Sequence, residues 1–143
     1  MKISTKGRYS LEALLCLALL PGSSYTSTHS IAELTGLPEG YLEQLFIPLK
    51  KAGIISSGRG PLGGYHLGKT DGEISVGDIL RVAEGPLEPV SCVTSQSCPA
   101  QSYCLSRHTW GELYSEITEC VDNITLADLV RAYSVIDEPE YVI

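Results

Sequence analysis

Long apolar runs are missing from this 143-residue chain. The apolar patch Leu14 to Leu20 stops well short of the about 20 residues a bilayer span requires, so no membrane partner is expected. The patch is equally short for a secretory leader and is followed by no small-residue cleavage pattern, which gives the expectation of a cytoplasmic protein. Positive charge is scarce: ten Lys and Arg stand against seventeen Asp and Glu, a net charge of -7. Taken alone, that balance argues against a polyanion partner, because non-specific nucleic-acid affinity comes from neutralising phosphates. Catalytic signatures are lacking as well. No histidine sits at a recognisable general-base spacing from a thiol, and Gly60-Pro-Leu-Gly-Gly64 lacks the lysine of a phosphate loop, so no enzyme activity is expected. Five cysteines make an odd number, which argues against a secreted disulfide framework.

The scarce positive charge is unevenly spread. Residues 1–69 hold seven bases and four acids, whereas the remainder holds three bases and thirteen acids. A basic front and an acidic back suggest two jobs, with a polyanion partner at the front.

Apolar spacing predicts three helices in that front half. The first runs from Arg8 to Leu20 with Leu11, Leu14, Leu15, Ala18 and Leu19 at core positions, and Cys16 within it reads as a small core residue. A short helix from Ser30 to Gly36 uses Ile31, Ala32 and Leu34, with His29 in the loop before it. A third, opened by Pro38, runs to Ala52 with Leu42, Leu45, Phe46 and Leu49 inward. A short helix, a glycine-containing turn and a second amphipathic helix make a helix-turn-helix. Two short strands follow, Ile54 to Ser57 and Tyr65 to Leu67, joined by a glycine-rich tip that holds a single arginine, Arg59. Such a hairpin reads as a wing, in which Arg59, beside Gly60, can enter a narrow minor groove.

The expected DNA-facing residues are Lys6 and Arg8 at the front, Tyr41, Glu43, Gln44, Lys50 and Lys51 on the third helix, and Arg59 and Gly60 on the wing. Gln44 can bond an adenine edge, Glu43 can accept from cytosine or simply be solvated, and the lysines can hold phosphates. Tyr41 packs either on the sugar-phosphate backbone or in the core.

Three of the cysteines, Cys92, Cys98 and Cys104, are evenly spaced in a loop of Ser, Gln, Thr and Pro. Buried structural cysteines normally sit in apolar elements, so three in a polar loop point to ligation, redox chemistry or disulfides. Thiolates are the usual ligands of iron-sulphur clusters. Structural zinc favours closer pairs, with two to four residues between partners, and is the weaker fit.

Lys2-Ile-Ser-Thr-Lys-Gly-Arg-Tyr9, Tyr41-Leu-Glu-Gln-Leu45, Arg59-Gly-Pro-Leu-Gly-Gly-Tyr65, Val76-Gly-Asp-Ile79 and Glu84-Gly85 together resemble the IscR-type family of winged-helix transcription regulators, from Met1 to about Tyr133. The resemblance implies a mainly α fold with a small β-wing and a long dimerisation helix. It also implies that Cys92, Cys98 and Cys104 are iron-sulphur ligands, as in the IscR and NsrR branches; the CymR branch typically lacks them. The family's fourth ligand, a histidine three positions after the last cysteine, falls here on Arg107, and the neighbouring His108 is taken in its place. A 2Fe-2S cluster is favoured over 4Fe-4S.

Beyond the loop, Trp110, Leu113, Tyr114, Ile117 and Val121 form a narrow stripe along a helix from Arg107 to Val121. By the resemblance this stripe is the interface of a two-fold homodimer, whose paired wings read the half-sites of a pseudo-palindromic operator on double-stranded DNA. Cys120, beside it, reads as interface or core. A last helix runs from Leu126 to about Val135. The expected organisation is a DNA-binding domain over 1–85, a cluster loop over 86–106, and a dimerisation helix and tail over 107–143. The function expected is a repressor sensing iron-sulphur status. Two alternatives stay open: a CymR-like repressor of cysteine metabolism, governed by a partner enzyme of cysteine synthesis or by thiol redox, and a zinc-stabilised DNA reader.

Overall fold

The computed structural model describes residues 2–20, 24–95, 99–100 and 102–137. Cys98 and the tail from residue 138 lie outside them. Six α-helices and one two-stranded antiparallel sheet are found among the described residues. No helix among these is long and apolar enough to cross a membrane.

Helix α1, Thr5–Leu19, buries Gly7, Ser10, Ala13, Leu14 and Leu17. Leu17 is the core residue of its last turn and Leu19, expected inward, is exposed. The helix also starts a turn earlier than its apolar spacing indicates. Its N-cap Ser4 makes no side-chain cap of its own; instead the Glu84 carboxylate, at the far end of another helix, accepts from the Ser4 and Gly7 amides at 2.9 and 3.1 Å. A cap supplied from eighty residues away has no local signature.

Helix α2, Thr28–Thr35, is N-capped by Ser27, whose hydroxyl accepts from the Ser30 amide. It therefore takes in His29, expected in the preceding loop. Within its eight residues only Ile31 is fully buried. Leu34, expected to make core contacts, is 62% exposed although it lies three residues on from Ile31 on the same side of the helix, because α2 ends within two residues of it and leaves it at the edge of the core. Helix α3, Glu39–Lys51, buries Leu42, Leu45, Phe46 and Leu49 as expected, and tolerates Pro48 in its interior. That proline has no N–H for the Gln44 carbonyl.

Strands β1, Ile55–Gly58, and β2, Gly64–Leu67, pair antiparallel from Ile55 opposite Leu67 to Gly58 opposite Gly64. Thr26 exchanges two backbone hydrogen bonds with Tyr65, both 2.8 Å, so the segment before α2 continues the wing's sheet. Phe46 stacks on Tyr65 at 4.5 Å between centroids, which fixes the wing to α3.

Helix α4, Val76–Glu84, occupies a stretch to which apolar spacing assigned no element. Ser75 and Asp78 form a reciprocal capping box at its start, and Ile79 and Leu80 are buried. Helix α5 spans Arg107–Asp122 and α6 spans Leu126–Asp137. Thr125 and Asp128 cap α6 in the same reciprocal way. The main core gathers α1, α2, α3, the wing, Ile79 of α4 and Leu126 of α6. A second cluster, Val76, Leu80 and Leu87, is covered by Ile117, Val121, Ile124 and Leu129.

Helices α4 and α5 meet at Gly77, where a Cβ would collide with the Asp122 carboxylate and crowd Val121. Beside it Arg81 grips Asp122 through two hydrogen bonds of 2.7 and 2.8 Å. The hydrogen bond from Arg81 holds the Asp122 carboxyl below its ordinary value. A carboxyl favoured as its anion in the folded chain contributes fully above its unfolded pKa and loses that contribution as pH falls through the folded one. Asp122→Asn is therefore expected to lower the melting temperature at neutral pH, and the gap to wild type should close as pH is taken below the ordinary aspartate value of 3.8. The side chains are 36% and 39% exposed, so screening by water limits the effect to about 1 kcal/mol or less. Thermal unfolding of both proteins across pH measures it.

Candidate DNA-binding face and cysteine site

Helix α3 presents an exposed stripe of Glu43, Gln44, Ile47, Lys50 and Lys51, set at steps of three and four along one side. Its lysines lie in the last turn, where positive charge also suits the helix dipole. Tyr41 is half-buried, edge-on to Tyr9 at 5.8 Å between ring centroids, so its ring packs at the border of the core. Lys6 and Arg8 are exposed on the first turns of α1, and the Arg8 guanidinium lies 5.8 Å from the centroid of the Tyr9 ring. The Tyr9–Tyr41 contact thus joins the basic start of α1 to the start of α3.

At the wing tip Arg59 and Gly60 are both exposed, Gly60 at a φ of +90° that allows the chain to turn there. Behind the tip, His66 packs on Tyr25 at 4.4 Å between centroids and hydrogen-bonds Ser56. These contacts stiffen the hairpin that carries Arg59.

The cysteine site forms around the start of α5. Cys92 is exposed within a short 3-10 turn, Ser91–Val93, and lines a cleft with Val93, Ser95, Arg107, Trp110, Gly111 and Tyr114. Cys104 is partly exposed and lines a second cleft with Arg107, His108, Gly111, Glu112 and Ser115. Arg107 and Gly111 border both clefts, so the first turn of α5 lies between the two thiols. The Cys104 thiol is pulled below its ordinary value by hydrogen bonds from the Ser106 hydroxyl and backbone, with a smaller contribution from Arg107. His108 shares the Cys104 cleft but points a nitrogen at Glu112, 3.2 Å away, and is 86% exposed. Among the described residues no three Cys, His, Asp or Glu side chains converge as a metal site.

The other two cysteines stand apart from this site. Cys16 is half-buried against the main core, where burial and then Glu12 push its thiol up. Cys120 is exposed on α5. Of the expected dimer stripe, Ile117 and Val121 pack on the cluster around α4, Leu113 is 42% exposed, and Trp110 is anchored by its indole N–H to the Ser106 hydroxyl at 2.9 Å.

Two roles that matter here have no assignment from the sequence: Glu84, named there only as part of the family motif, caps α1, and Ile47 stands on the DNA-facing side of α3. Glu84 would have needed its partner α1, whereas Ile47 was visible as the one apolar residue on the polar side of α3.

The chain matches the family model Rrf2, described as an iron-dependent transcriptional regulator, over residues 3–132. It is 45% identical to the HTH-type transcriptional regulator CymR of Bacillus subtilis over 129 residues, 90% of this chain and 89% of that one. The solved structure of B. subtilis CymR, described as the global cysteine regulator, superposes with a TM-score of 0.77 at 42% identity, covering 92% of this chain and 98% of that one. The HTH-type transcriptional regulator IscR of Cronobacter sakazakii is 37% identical over 137 residues, 96% of this chain and 85% of that one. The T. potens IscR structure superposes with a TM-score of 0.79 at 38% identity, covering 98% and 93%. The family model and the two relatives matched by sequence are named as transcriptional regulators, none as an enzyme.

Proposed function

The chain belongs to the Rrf2 family of DNA-binding transcription regulators, and on that premise we propose a homodimeric cytoplasmic repressor whose hold on DNA follows iron-sulphur status. The observation that carries the sensing half is the placement of Cys92 and Cys104 on either side of the first turn of α5, with the Cys104 thiolate favoured. Hydrogen bonds and a helix N-terminus are what a thiolate ligand needs. Cys92, Cys98 and Cys104 would hold an iron-sulphur cluster, 2Fe-2S by preference, with His108 as the fourth ligand. When bound, it supplies a redox-labile centre whose presence reports cellular iron and sulphur supply.

Helix α5 is locked to α4 through Gly77 and the Arg81–Asp122 pair. Helix α4 in turn caps α1 through Glu84, two residues before Lys6 in the contact to Ser4 and one after it in the contact to Gly7. Ligation that reorders the start of α5 can therefore bias the front of α1 through packed elements, and a coupling of about 5- to 150-fold in operator affinity is typical of such linkage. The expected targets are genes of iron-sulphur cluster assembly, read from a pseudo-palindromic operator by α3 and the wing of each protomer, with Trp110, Leu113 and Tyr114 of α5 at the dimer interface.

The similarity to CymR supports a second reading, a repressor of cysteine metabolism set by a partner enzyme of cysteine synthesis. Absorption spectroscopy with iron and sulphide analysis on protein purified without oxygen separates the two. A brown protein with iron and sulphide is expected. A colourless one after reconstitution, with or without zinc, would leave the DNA reader standing and transfer the effector question to a protein partner or thiol redox.

A further inference from the structure

Ile47 is 67% exposed in the middle of the polar stripe of α3 and belongs to neither hydrophobic cluster. A single exposed apolar residue needs no explanation by itself. Its neighbours supply one: Glu43 and Gln44 lie one turn before it and Lys50 and Lys51 one turn after, all exposed on the same side of the helix. If the lysines reach phosphates while Gln44 reaches a base edge, the side chain between them faces the groove wall. Among the groups that base pairs present in the major groove, only the thymine C5-methyl is apolar. The two lysines commit the stripe to a polyanion and disfavour an apolar protein partner on it.

We infer that Ile47 reads a thymine methyl next to the base read by Gln44, which makes it a specificity-determining residue of the operator contact. The inference rests on the proposed docking of α3 in the major groove. Because Ile47 is exposed, shortening it leaves the core of the helix untouched.

The test begins with wild-type protein selecting duplexes from a random library, after which each thymine of the enriched site is replaced in turn by uracil, which removes the methyl and nothing else. At one thymine per half-site, uracil should weaken wild-type binding by about fourfold, the worth of one methyl-sized apolar group withdrawn from water. Ile47→Ala, which removes the contact in both protomers, should show about the product of the two half-site losses, about 16-fold, on the thymine duplex and no further loss with uracil, with Ile47→Val in between and all three proteins melting alike. An Ile47→Ala protein that keeps the full uracil penalty overturns the inference alone. Failure of the wild type to enrich any sequence overturns the DNA reading beneath it.

Discussion

Replacing Cys104 with alanine is expected to reduce bound iron and sulphide to background and to bring the affinities of anaerobically purified and chelator-treated protein for one operator to the same value. Among the proposed ligands Cys104 is the one whose thiolate is favoured, by hydrogen bonds from Ser106 and by the nearby Arg107, and the thiolate is the ligating form. Alanine removes the sulphur without disturbing packing, because Cys104 is in neither hydrophobic cluster. The variant should therefore fold and bind DNA in its apo form. Cys16→Ala is the comparison. That thiol is half-buried against the core and pushed toward its neutral form, so its loss should leave iron content unchanged. Persistent cluster absorption in Cys104→Ala would remove this residue from the ligand set.

The second large effect is at the wing. Arg59→Ala should weaken binding to the selected operator by about 5- to 150-fold, the range of a good arginine contact worth about 1–3 kcal/mol. The strands behind Arg59 are held by the Tyr65–Thr26 backbone pair and the Phe46–Tyr65 stack, so the loss should fall on DNA contact and leave the wing intact. An arginine inserted in a narrow minor groove discriminates by groove width, and the variant should then relax preference for A·T-rich steps at its position. If Arg59 only neutralised a phosphate, affinity would fall evenly across sequences and the salt slope would drop by about one. Anisotropy titrations on operator and scrambled duplexes at several salt concentrations separate these results.

Most of the helix-turn-helix was legible because its elements follow local rules. Leu42, Leu45, Phe46 and Leu49 mark the buried side of α3 by spacing alone, and all four are buried. The wing was legible from two short apolar segments around a glycine-rich tip. Helix α4 was not, since it is only nine residues long and carries Gly77, and its start is written in a capping box, Ser75 and Asp78, more clearly than in its apolar period. The start of α1 was hidden for a different reason: its cap is Glu84, brought there by the fold. Leu19 and Leu34 were expected inside because they are leucines near core positions, but one turn of helix offers fewer inward places than it has apolar residues. At the cysteine site the even spacing of Cys92, Cys98 and Cys104 pointed to a shared function; Cys92 and Cys104 line separate clefts that both border Arg107 and Gly111 of α5, and Cys98 lies outside the described residues. That His108 occupies the second residue of that helix, beside Cys104, depends on where α5 begins, and Arg107 is its first residue.

The most direct measurement is the equilibrium affinity of the same protein for one operator duplex, taken without oxygen before and after removal of iron by a chelator. The two affinities are expected to differ by about 5- to 150-fold, and the difference should vanish in Cys104→Ala. Equal affinities in wild-type protein that carries iron and sulphide would contradict the claim that the cysteine site governs DNA binding.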